Sequence, residues 1–133
     1  MRFLQRVLWA QSACLAIGGV LLAGLPKLVL VTLFHQVHYP EYAWIRIVGV
    51  QAFVVAMIEV LVAQRIEQLW WWSWAFVIAT GAIGLISLLN ATIGLPAGSS
   101  AVLWWLFVAF DAVFGAAFLW GLFKANQDQP FIE

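Results

Sequence analysis

Charge is scarce in this 133-residue chain. Six basic and six acidic side chains make up 9% of it and cancel to a formal net charge of zero. That leaves no basic field to hold nucleic acid, whose binding rests on Lys and Arg neutralising phosphates. The single cysteine, Cys14, excludes an internal disulfide framework and any two-cysteine redox chemistry within the chain. There is no Gly-rich phosphate loop, no H-E-x-x-H zinc motif and no nucleophile elbow. What is present is oil: 65% of the residues are hydrophobic, against roughly 45–50% in soluble domains. A soluble globule of this size cannot hide so much apolar surface, and a disordered chain needs the opposite composition. The composition defines an integral membrane protein.

A bilayer core about 30 Å thick requires about 20 apolar residues at 1.5 Å rise each. Four stretches meet that length, at about 7–25, 43–63, 69–89 and 101–123. They are too long for barrel strands and lack period-2 alternation. Arg65-Ile66-Glu67-Gln68 is all that separates the second from the third, a tight hairpin. Gly94 to Ser100, with Pro96 and Gly98, is turn chemistry between the third and fourth. The expected fold is all-α: one transmembrane domain over 1–133, an antiparallel up-down four-helix bundle. A competing reading makes residues 1–25 a cleaved signal peptide, although their apolar stretch is long for one.

The nine tryptophans agree with this layout. Trp9, Trp44, Trp70, Trp71, Trp72, Trp74, Trp104, Trp105 and Trp120 fall towards span ends and none at a midplane. That is the placement expected of side chains that prefer the membrane–water boundary. Arg2, Arg6, Arg65 and Lys124 fall on the amino-terminal side, and Lys27 and Arg46 on the other. The positive-inside bias then puts both termini in the cytoplasm. Segment 27–42 is the least regular in pattern. Leu30, Leu33, Phe34 and Val37 recur at helical spacing after Pro26, which predicts a short amphipathic helix on the outer surface, or a bent continuation of span one, closed by Pro40.

Helices in lipid associate through small residues and polar contacts rather than by burying oil. Three stripes at 3–4 spacing are available. They are Gln5, Ser12, Ala16, Gly19 and Ala23; Gly49, Ala52, Ala56, Glu59 and Ala63; and Ser73, Thr80, Gly84, Ser87 and Ala91. No internal repeat is evident.

Polar groups inside the spans are the functional candidates. Asp111 lies near mid-depth of span four, where it is either a proton, cation or ligand site or a hydrogen-bonded strut to Thr80 or Gln51. Gly115 sits one turn away on the same face. Glu59 in the span-two stripe either joins Gln11 and Ser12 in a buried cluster or reaches for the surface near Arg6 or Arg65. Arg46 either reaches the headgroups beside Glu41 and Tyr42 or pairs with Asp111, an inward reach of about 10 Å or more at the helical rise. His35, His38 and Glu41 form H-x-x-H-x-x-E. Imidazoles three apart on a helix can ligate a metal or a tetrapyrrole, but two ligands are too few to close a site. No cofactor is required by the sequence.

Several positions resemble the DoxX-like group of small four-helix bacterial membrane proteins. Gly24-Leu25-Pro26-Lys27-Leu28 is similar to that group's G-x-x-K-L, and Arg46-Ile47-Val48-Gly49 to its R-x-x-G. Asp111-Ala112-Val113-Phe114, followed by Phe118-Leu119-Trp120, is similar to a pattern in related four-helix proteins. The resemblance spans most of the chain, from which the segment after Pro26 and the four-tryptophan cluster depart. It implies a four-helix bundle with an accessory role beside membrane oxidoreductases, and transfers no catalytic residue. The expected function is a non-catalytic accessory or structural subunit of a larger membrane complex. Its partners would be membrane lipids and either other subunits or further copies of itself. The alternative is a small oligomeric proton-coupled transporter or channel using Asp111. A membrane enzyme acting on lipid or quinone would need two of Asp111, Arg46 and Glu59 in one pocket.

Overall fold

The computed structural model describes residues 1–128, so the last five positions of the expected domain lie outside it. Every regular element among the described residues is helical. Four helices are long and apolar enough to cross a membrane: Arg2–Gly24, Ala43–Gln64, Ile66–Thr92 and Val102–Asp128. The first is α1 and the second α2. The third has internal joints: α3 (Ile66–Leu69), a 3₁₀ turn (Trp70–Trp72) and α4 (Ser73–Thr92). The last is α5 (Val102–Asp128), which runs past the expected end near residue 123.

The chain breaks where its backbone chemistry requires. Leu25 leaves helical geometry (φ −129°, ψ 52°), because the ring of Pro26 crowds the residue before it. Pro26 then starts a new turn, a position that needs no N–H. The segment that follows, Leu28–Leu33, is helical but wound as a π-helix, within the stretch expected as a short amphipathic helix or a bent continuation of span one. Its wider winding shifts the 3–4 spacing off one face: Val29 and Leu30 are buried while Leu33 is exposed. Helical structure stops at Phe34, and His35 takes a left-handed conformation (φ 50°). Pro40 therefore sits in irregular chain. Gln36, buried here, donates from Nε2 to the carbonyls of Ser100 (2.7 Å) and Phe34 (3.2 Å), tying this segment to the loop before α5. That loop turns at Gly98 (φ 85°), with the Ser99 N–H bonded to the Pro96 carbonyl at 3.1 Å. A positive φ at the third turn position favours glycine.

Contacts fix the relative registers. Gln5 Nε2 donates to the Ala63 carbonyl at 2.7 Å. Fourteen residues along each helix, Gly19 meets Gly49 so closely that a Cβ on Gly19 would lie 2.6 Å from the Gly49 carbonyl oxygen. The helices α1 and α2 thus run in opposite directions. Gly84 lies against Asp111 and Thr80 against Gly115, which sets α4 and α5 antiparallel too. Gly121 of α5 accepts Leu4 of α1, joining the two pairs, while α2 and α4 barely touch.

The apolar core is concentrated at the Met1 end. Leu4, Leu8, Val62, Phe76, Phe118 and Leu122 are all at most 7% exposed. The Pro26 end is packed less densely, with a cleft between α1, α2 and the start of α5.

Candidate functional site

Several buried polar side chains lie in the middle of this arrangement. Gln11 of α1 donates from Nε2 to the Thr80 hydroxyl of α4 at 3.2 Å, with both residues buried. This side chain–side chain bond joins two long helices, and the sequence did not suggest the pair. Asp111, 8% exposed, sits a turn beyond Gly115 on α5. Its Cβ would be 3.0 Å from a methyl placed on Gly84, so the absent side chain at Gly84 is what admits the acid. Thr80 is one turn away on α4, with its hydroxyl engaged by Gln11.

Glu59 is 1% exposed and does not reach the surface. Its Oε2 has no hydrogen-bond partner, nor has Oε1 of Gln11. The register that pairs Gln5 with Ala63 places Glu59 level with Trp9, two residues or about 3 Å from Gln11 in depth. Side chains lean towards the amino terminus of their own helix. Those of Gln11 and Glu59, on antiparallel helices, therefore lean towards one another's level. Ser12 is buried beside them, but its hydroxyl donates to the Trp9 carbonyl of its own helix at 2.9 Å. Ser73, fully buried on α4, also has an unpartnered Oγ.

Four candidates go elsewhere. Gln51 is exposed on the outward face of α2. Arg46 donates to the Ala23 carbonyl at 2.7 Å and to that of Gly24 at 3.4 Å. It caps the carboxyl end of α1, whose last carbonyls have no partner within the helix. By register it lies more than about 10 Å from the depth of Asp111. His35 and His38 are exposed and lie outside any helix, so they do not share a helical face. Among the described residues no group of three or more His, Cys, Asp or Glu side chains is placed to hold a metal ion.

The cleft at the Pro26 end encloses about 800 Å³. Leu21 and Leu22 of α1, Val29 and Leu30 of the π segment, Ile45 and Val48 of α2, and Trp104 and Phe107 of α5 form its walls, with Gln36 and Glu41 among them. Nothing in the spacing of the sequence announced it. The adjacent pair Trp104-Trp105 carried the only signal, since neighbouring helical residues face different ways. Trp105 is exposed, whereas Trp104 lines the cleft. No family model, curated protein or solved structure matches the chain.

Proposed function

We propose that this chain crosses a bacterial cytoplasmic membrane four times as an up-down antiparallel bundle, both termini in the cytoplasm, and serves as a non-catalytic accessory or structural subunit of a larger membrane complex. The observation that carries the reading is the open side of the assembly. The helix pair α1–α2 meets the pair α4–α5 mainly through α1 against α5, with the Gln11–Thr80 bond between α1 and α4, and α2 and α4 leave long apolar faces unshared. These faces carry bulky residues such as Val54, Leu61, Ile78 and Leu85, apolar surface that a neighbouring helix or lipid would cover. The positive-inside rule supports the orientation. The short motifs around Pro26, Arg46 and Asp111 support a DoxX-like relationship, and with it a redox complex as the host.

Extraction in mild detergent at native expression level tests this. A defined complex holding at least one other polypeptide in fixed ratio is the expected result. A lone 14.8 kDa chain in its micelle contradicts it.

A second reading, a proton-coupled transporter, is favoured by one arrangement: Glu59, Gln11, Thr80 and Asp111 stack at successive depths, and the last lies about one turn below Phe107 in the cleft wall. The dry layer of Leu4, Leu8, Phe118 and Leu122 beneath them weighs against a through path. Asp111→Asn in proteoliposomes separates the readings, because transport requires the carboxyl group and a structural role tolerates the amide. Loss of proton-driven flux in an otherwise intact variant supports transport, and absence of flux in the unaltered protein ends it.

A further inference from the structure

We infer that the cleft at the Pro26 end is a binding site for one membrane phospholipid with an ammonium head group. An acyl chain would lie against Leu21, Ile45 and Phe107, and an ester carbonyl would accept from the Trp104 indole N–H. The inference rests on the membrane-spanning reading above but not on the accessory role.

Four observations converge. The volume, about 800 Å³, falls within the range of about 300–1,000 Å³ of ligand pockets, which are mostly apolar with a few placed polar groups. Trp104 Nε1 is buried in the cleft wall with no acceptor from the protein. An orphaned buried donor of this kind requires an explanation, and an acceptor on an occupant of the cleft would supply its missing partner. One wall draws Val29 and Leu30 from a six-residue π-helix, and the chain then turns at a left-handed His35 between the lining residues Phe34 and Gln36. Both features occur preferentially at functional sites, because they cost stability that a regular helix would have kept. Finally, the cleft sits where Trp44, Trp104 and Trp105 mark the level of the interface, the depth at which lipid ester groups lie.

The charge at the rim selects the head group. Glu41 is the charged residue in the lining, and the nearby Arg46 is engaged with the Ala23 and Gly24 carbonyls. An ammonium group complements Glu41, whereas an anionic head group would be repelled by it.

The test is native mass spectrometry of the purified, delipidated full chain titrated in detergent with phosphatidylethanolamine. Gly18→Phe is the blocking variant: Gly18 lines the cleft, and a Cβ there meets nothing within 4 Å, so the ring enters free space without moving the backbone. Ile78→Phe, on a face 70% exposed, is the control for annular lipid. The expected result is one phosphatidylethanolamine per unaltered chain, retained by Ile78→Phe and lost in Gly18→Phe. Trp104→Phe should bind about fivefold more weakly, the worth of one net hydrogen bond. Equal lipid retention by the Gly18 and Ile78 variants overturns the site, as does no adduct on the unaltered chain. Stronger retention of phosphatidylglycerol or of a quinone overturns the assigned ligand. Alkaline carbonate washing of membranes separates the two layers of inference. Release of the unaltered chain would refute the spanning reading itself, while retention without a lipid adduct refutes only the site.

Discussion

At the scale of single residues, two glycines do the work that bulk does in a soluble core. A Cβ on Gly49 would lie 2.5 Å from the Ala23 backbone nitrogen and 2.6 Å from the Gly19 carbonyl oxygen, and backbone has nowhere to retreat. Gly49→Val should therefore force α1 and α2 apart and cost at least the 1–3 kcal/mol typical of overpacking, roughly. Gly81→Val is the matched control, since a Cβ at Gly81 meets nothing within 4 Å. Unfolding in mixed micelles titrated with denaturing detergent measures the difference, and equal stability of the two variants would remove close packing of α1 on α2 as a determinant. The Gln11–Thr80 bond invites a double-mutant cycle of Gln11→Leu with Thr80→Val. A coupling of about 0.6 kcal/mol, with an upper range near 1.7, is the expectation for such bonds between membrane helices. Zero coupling would mean the two groups do not meet.

The stripes that position these residues were legible in the sequence. Gly49, Ala56, Glu59 and Ala63 are buried together on α2, as are Ser73, Thr80 and Ser87 on α4, because 3–4 spacing of small residues has one physical use between lipid-embedded helices. The destination of Arg46 was not legible. It depends on where α1 exposes its last carbonyls, and that is set by Leu25 and Pro26 some twenty positions earlier and by the α1–α2 register.

At the scale of elements, departures from regularity mark the connections. The turn at Gly98 could be read from its glycine and proline. Its left-handed φ makes Gly98→Ala costly by about 1 kcal/mol, the penalty for an L side chain in that region. The same assay should show that drop, whereas Gly94 is constrained differently, by contact with Asn90. An unchanged Gly98→Ala protein would imply that the loop adopts another turn. The π winding at Leu28–Leu33 could not be read, since hydrophobic periodicity reports a repeat of 3.6 and is silent on a locally widened turn. Trp70 shows the same limit. It follows the interfacial rule by position, yet the 3₁₀ turn rotates it to 6% exposure, while Trp71, Trp72 and Trp74 stay outside.

At the scale of the whole molecule, composition pointed to a membrane protein, and the four apolar stretches of about 20 residues announced the four long apolar helices. The asymmetry between a packed Met1 end and a cleft at the Pro26 end was invisible to it, being a matter of how pairs of helices splay. The central claim is that both ends of the chain lie on one side of a membrane and the Pro26 and Gly98 connections on the other. Cysteine labelling in intact cells addresses it most directly, in a Cys14→Ser background with single cysteines at Arg2, Glu67, Ala97 or Gln127. An impermeant maleimide is expected to label the Ala97 position from outside and to reach the Arg2, Glu67 and Gln127 positions only after the membrane is opened. Outside labelling at Gln127 with protection at Arg2 would require an odd number of crossings and contradict the account.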